Sequence, residues 1–159
     1  HKLVASASLY LPGLSSNHSL VPNGAFQKRD TLNDLFSNNF PYSRGYNALS
    51  QPTMYKAGIN YHFPLFYPDW GFGNMVFFQR IRVNVFYDYT SVSAKNNEGS
   101  TSYLKNRSTG AELYFDTKLW NALPAIFEIR FSHLLDPNYR NQSVTNRWEI
   151  VIPISLIPN

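Results

Sequence analysis

The chain has 159 residues and a formal charge of +4. It has no cysteine, 16% aromatic residues and only 15% charged residues, against about 25% charged in ordinary soluble domains. These values exclude disulfides and thiolate metal sites. They also exclude a basic nucleic-acid face, because the lysines and arginines are scattered, and a membrane helix, because no run approaches roughly 18 apolar residues.

Six strands are expected, and in each the charged residues fall on one side of a two-residue alternation. Successive side chains of a strand point to opposite faces, so each strand has a wet face and an apolar one. The first covers residues 2–11, with Leu3, Ala5, Ala7, Leu9 and Leu11 opposite Lys2, Ser6, Ser8 and Tyr10. The second, 54–65, sets Tyr55, Ala57, Ile59, Tyr61 and Phe63 against Lys56, Gly58, Asn60 and His62. The third, 75–91, sets Ile81, Val83, Val85, Tyr87 and Tyr89 against Arg80, Arg82, Asn84 and Asp88. The fourth, 108–119, opposes Ala111, Leu113, Phe115 and Thr117 to Glu112, Tyr114, Asp116 and Lys118. The fifth, 125–134, opposes Phe127, Ile129 and Phe131 to Glu128, Arg130 and Ser132. The last, 146–154, opposes Trp148, Ile150, Ile152 and Ile154 to Arg147 and Glu149.

Recurrent alternation with an aromatic-rich apolar side is the pattern of a transmembrane β-barrel, in which about ten tilted residues cross the bilayer. The connections 66–74 and 120–124 are short, whereas 12–53, 92–107 and 135–145 are long and polar. That asymmetry matches periplasmic turns and extracellular loops. Trp70, Phe72, Phe77, Phe78, Trp120 and Trp148 lie near the expected strand ends, where an aromatic girdle belongs. Six strands cannot close such a barrel: small barrels have eight, and an open edge in hydrocarbon leaves backbone groups unpaired. Partner strands outside the sequence are therefore expected. The opening on His1, without a Met or signal segment, fits either a processed chain or part of a longer polypeptide.

The long loop contains Ser43-Arg44-Gly45-Tyr46, and the polar face of the third strand carries Phe86 and Asp88. One arginine in a long loop and one acid on the inner wall suggest a loop that folds back into the lumen and pairs there. A bidentate guanidinium–carboxylate bond is strong in such partly desolvated surroundings. Gly45 would let the backbone turn tightly or approach the wall.

On these residues the chain resembles the C-terminal part of the bacterial surface-antigen superfamily, which includes the barrel-assembly and two-partner-secretion proteins. In that family a sixteen-stranded barrel has a long sixth loop ending in an Arg-Gly-aromatic motif. Its tip meets a Phe-x-Asp motif on the thirteenth strand. Arg44, Gly45 and Tyr46 match the first motif, and Phe86 and Asp88 the second. One strand, the loop and five further strands match the last six of sixteen. A narrower likeness, through 65–69 and 80–88, is to members whose barrel follows periplasmic modules such as propeller-like repeats.

Two positions depart from the family. Thr90 stands where the family often has glycine, and the chain ends on Asn159 rather than an aromatic residue. Pro153 would weaken pairing at the terminal seam, which fits a seam that opens and equally a plain strand end.

The expected protein is integral to the bacterial outer membrane, with residues 1–159 forming part of one barrel domain. Lipid, the upstream strands, client polypeptides and other outer-membrane subunits are its expected partners. The resemblance implies insertion or translocation of polypeptides. Two alternatives stand beside it: a barrel that only anchors a fused periplasmic or surface domain, and a soluble carbohydrate-binding β-sandwich. Catalysis is not expected, since no paired acids, nucleophile elbow or phosphate loop occurs. No cofactor and no metal are expected, the four histidines being dispersed. The inward charges Lys56, Arg80, Arg82, Glu112, Asp116, Lys118, Glu128, Arg130, Arg147 and Glu149 mix both signs and are expected to neutralise one another. The sequons at Asn17, Asn106 and Asn141 are within chance for an Asn/Ser-rich chain.

Overall fold

The computed structural model describes residues 1–29, 39–49, 51–95, 101–120, 122–136 and 144–152. Among them it is all-β, with no helix. The strands are β1 (Lys2–Ser8), β2 (Leu11–Pro12), β3 (Ser19–Arg29), β4 (Thr53–Phe66), β5 (Trp70–Phe72), β6 (Val76–Lys95), β7 (Thr101–Leu119), β8 (Leu123–Leu134) and β9 (Asn146–Val151). They make one antiparallel sheet in the order β1-β3-β4-β6-β7-β8-β9, with β2 beside β3 and β5 beside β6.

The strand count corrects the expected six. Five strands of the main path follow the long loop, as expected, but two precede it, because β3 lies inside the stretch 12–53. Residues 19–29 of that stretch are therefore strand, and its described non-strand part before β4 is 39–49 and 51–52. Pro22, Asn23 and Gly24 hid the strand, since proline cannot donate to a ladder. The register shows why proline is tolerated: Ser8 pairs with Asn23, Leu11 pairs with Leu20, and the ladder breaks between them. Leu9 N donates to Pro22 O at 3.0 Å. In an antiparallel pair a residue's N and O point to the same neighbour, so the missing N–H points into the break.

A second correction concerns 92–107, which is mostly ladder rather than loop. Val92 pairs with Leu104 and Lys95 with Thr101. The first strand is likewise shorter than expected and split into β1 and β2. Pro153, Ile154 and the sequon at Asn141 lie outside the described residues.

Cross-strand partners share a face, so the register aligns the two sides of the sheet. Leu20, Tyr61, Val85, Ala111, Phe131 and Trp148 form one row of the apolar face. This face is the open one: Ile59, Val85, Tyr87, Ile129, Trp148 and Ile150 are all exposed. On the opposite face Asn84, Asp88, Thr90, Ser108, Glu112 and Ser132 are buried. Soluble sheets bury their apolar face; this one buries its polar face and presents aliphatic side chains outward.

The phase reverses toward the long-loop end. Beyond Tyr89 the outer positions of β6 become Ser91 and Ser93, facing Lys105 and Tyr103. The inner positions become apolar, and Met54, Val92, Ala25 and Phe40 of the loop make a small buried cluster flanked by Tyr42 and Leu104. Burying side chains such as Met54 and Val92 stabilises by about 1.5–3 kcal/mol each, which fixes the root of the loop on the inner side.

Candidate functional site

The described part of the long loop, 39–49, lies against the polar face, and the structure brings all five motif residues together there. Arg44 makes a two-pronged bond to Asp88, Nε to Oδ2 at 2.7 Å and Nη2 to Oδ1 at 3.1 Å. Its backbone N–H donates to the same Oδ2 at 3.1 Å. Nη1 lies 3.0 Å from Glu112 Oε1, and Nη2 donates to Asn60 Oδ1 at 2.6 Å. The guanidinium carbon sits 3.6 Å from the centroid of the Phe86 ring, a cation–π contact. Phe86 and Asp88 are two residues apart on one face of β6, so the ring supports the plane of the ion whose edge the carboxylate binds.

The Arg44 side chain is 16% exposed and Asp88 and Glu112 are 0% and 2% exposed, so the charges are largely withdrawn from water. Burial by itself would lower the guanidinium's affinity for its proton, but hydrogen bonds and charges from Asp88 and Glu112 outweigh it and raise the pKa above its ordinary range. Lys56 Nζ adds a contact at 3.6 Å to Asp88 Oδ1 and donates to Tyr42 O at 3.3 Å.

Gly45 has φ +83°, and a Cβ there would lie 2.8 Å from Leu134 Cδ2 and from Ser132 Cβ. Both the conformation and the space demand glycine. Tyr46 reaches onward: its hydroxyl donates to Arg107 O at 2.8 Å and accepts from Asp136 N at 3.0 Å. Arg107 and Asp136 form their own two-pronged ion pair at 2.8–2.9 Å, which holds the Asp136 carboxyl below its ordinary pKa.

Several residues outside the motifs complete the arrangement. Ser43 N donates to Thr90 Oγ1 at 3.1 Å, the two hydroxyls bond at 2.6 Å, and Ser43 Oγ donates to Asn106 O at 3.1 Å. Thr90, a departure from the resembled family, is thus a loop anchor in this chain. Gly58 pairs with Asp88, and Gly110 pairs with Phe86. A Cβ on the former would come 2.7 Å from Asp88 Oδ1, and on the latter 2.9 Å from Phe86 Cζ. Arg147 on β9 donates to Gly45 O at 2.7 Å and to Asn47 Oδ1 at 3.2 Å. The loop is thereby bonded to β4, β6, β7 and β9.

The wall charges pair in part, without full neutralisation. Arg130 meets Glu112, Glu128 and Glu149, while Arg80 and Arg82 share Asp116. Among the described residues no group of His, Asp or Glu is placed to hold a metal ion. Nor does any helix there have the length and apolar content to cross a membrane. The arrangement is a clamp that fixes a loop, and a cavity of about 390 Å³ lies beside it with Arg44, Lys56 and Asn60 in its walls. No family model, curated protein or solved structure matches the chain.

Proposed function

We propose that this chain is part of an integral outer-membrane β-barrel whose long loop is clamped inside the lumen, and that the complete barrel inserts or translocates other polypeptides. The observation that carries the reading is the Arg44–Asp88 clamp on the buried polar face of a sheet whose other face is aliphatic and exposed.

The dimensions support a bilayer. From the Trp70–Phe78 pair, stacked at 6.2 Å, to Tyr89 there are eleven residue-to-residue steps along β6. At about 3.3 Å per residue and a tilt near 45° they span roughly 26 Å, against about 25 Å for the apolar band of such barrels. Aromatic residues flank the band: Trp70, Phe72 and Trp120 at the short-turn end, and Tyr89, Tyr55 and Phe26 at the other. The middle carries Ile59, Val83, Val85, Leu113, Ile129 and Ile150 together with the aromatic rings of Tyr61, Phe63, Tyr87 and Phe131. Trp148 sits in the Val85 row, within the band rather than in a girdle. Neither β1 nor β9 has an outer neighbour among the described residues, so closure needs strands beyond these. A soluble β-sandwich would bury the aliphatic face and wet the charged one, the reverse of this arrangement.

Polypeptide handling rests on the resemblance of the two motifs and their places in the strand order. It is tested by depleting the native polypeptide in its source bacterium and following folded levels of other outer-membrane barrels and of secreted chains. Loss of either supports the reading. Unchanged levels of both leave an anchoring barrel in its place.

A further inference from the structure

The short-turn end of the polar face holds a second cluster that takes no part in the clamp. A cavity of about 460 Å³ lies there, with Tyr10, Asn17, His62, Tyr67, Arg80 and Arg82 in its walls. That volume is in the range of small-molecule sites. Arg80 Nη2 lies 2.7 Å from Asp116 Oδ2, and Arg82 Nε lies 3.1 Å from the same oxygen. Among the described residues no other acid pairs with either arginine. Asp69 shares a neighbouring cavity with Arg80 and Asp116, but no ion pair joins it to Arg80.

Two guanidiniums therefore meet one carboxylate at bonding distance, leaving an excess of one positive charge within this ion-paired set. Asp116 takes the Nε and one Nη of Arg80 and the Nε of Arg82. A guanidinium has five N–H donors, so both keep donors that no described side chain accepts. The Arg82 guanidinium is braced on the Tyr114 ring at 4.6 Å, and Arg80 is 45% exposed.

We propose that this cavity binds a single carboxylate carried by an extended polypeptide, either a chain terminus or an acidic side chain. The charge selects the ligand. One carboxylate neutralises the excess, whereas a phosphate monoester, near −2 at neutral pH, would leave net negative charge beside Asp116. Guanidinium forks match a planar carboxylate in two-pronged fashion. The Tyr10 and Tyr67 rings offer apolar walls for the ligand's body, and their hydroxyls and the Asn17 amide offer further donors. The carboxylate specificity rests on this geometry alone; the polypeptide as its carrier rests on the function proposed above.

The test uses the full polypeptide in detergent at low salt. The probe is a fluorescein-labelled, otherwise neutral tetrapeptide with a free C-terminal carboxylate, beside the same peptide as its C-terminal amide. The acid is expected to bind roughly tenfold or more tightly than the amide, the worth of a charge-assisted bond. Arg80→Gln together with Arg82→Gln should bring the acid down to the amide's affinity. Arg80→Gln alone, at a half-exposed position, gives a smaller loss in the same direction with little risk to folding. Lys105→Gln, at an exposed position of the outer face, should change nothing. Equal binding of acid and amide, or binding indifferent to the arginine variants, overturns the proposal. Stronger competition by inorganic phosphate than by acetate overturns the carboxylate assignment. Failure of polypeptide handling would show separately, in the depletion assay.

Discussion

At the scale of single residues, the clamp explains why arginine stands at position 44. Four partners surround one guanidinium: the Asp88 carboxylate, Glu112, the Asn60 side-chain oxygen Oδ1 and the Phe86 ring. A lysine would keep the charge but could not bind two carboxylate oxygens while stacking on a ring. Removing one partner of a buried ion pair costs about 3–5 kcal/mol, so Arg44→Ala and Asp88→Ala should each lower the stability of the fold by an amount of that order. Arg44→Lys should recover only a minor part. The double variant should cost less than the sum of the singles, by about 2 kcal/mol of coupling. Chemical unfolding in detergent measures all four proteins, and strict additivity would dissolve the clamp as a unit. The pair was legible in the sequence because both motifs were present and an arginine in a loop needs an acid on the wall. Arg147 was not legible: a lone strand arginine carries no mark of which loop it will meet. Gly58 and Gly110 left a fainter signal, as small residues on the wet face, which becomes meaningful only once the register sets them beside Asp88 and Phe86.

At the scale of elements, alternation revealed strands wherever one face stayed apolar for their whole length. It failed at the phase reversal. Where β6 and β7 leave the aliphatic band, Val92 and Leu104 turn inward and Ser91, Ser93 and Lys105 outward, so a continuing hairpin reads as a polar loop. It failed again at β3, where Pro22 and Gly24 interrupt a strand whose partners happen to break at that point. The same elements fix two expectations. Arg147 ties β9 to the loop through Gly45 O, and hydrogen bonds to charged groups contribute about 1.5–3 kcal/mol. Arg147→Ala should therefore speed hydrogen exchange of β9 amides by roughly ten- to a hundredfold while leaving β6 protected; equal rates in both proteins would show that the bond does not hold the strand. The second expectation concerns pH. Asp136 is depressed by its Arg107 partner, so its contribution is fully present above the ordinary carboxyl pKa, about 3.9, and is lost as pH falls through the lower folded value. The contact between Tyr46 and residues 107 and 136 should loosen in that acid window. Protease accessibility of the long loop, compared with Asp136→Asn, reads the effect. The variant should be loosened already at neutral pH and show less acid dependence.

For the whole molecule, the governing fact is a sheet that is wet on its buried side and aliphatic on its open side. In water, exposing Ile59, Val85, Ile129 and Ile150 carries a cost that grows with every such residue. A hydrocarbon surround removes the cost and makes each paired backbone group necessary, which a closed barrel supplies. The tryptophans can report which surround is real. Trp148 shares a row with Val85, within the band, whereas Trp70 pairs with Phe78 at its lower edge and Trp120 N bonds Met75 O beyond that edge. Variants keeping a single tryptophan, folded into vesicles whose lipids carry bromine at set depths, should differ accordingly. Trp148 fluorescence should be quenched most by bromine deep in the acyl chains, and Trp70 and Trp120 by bromine near the headgroups. Quenching of none of the three would return the chain to water and end the barrel reading. Equal quenching at every depth would break the alignment between the aliphatic band and the bilayer, because the register places Trp148 and Trp70 in different rows of one rigid ladder.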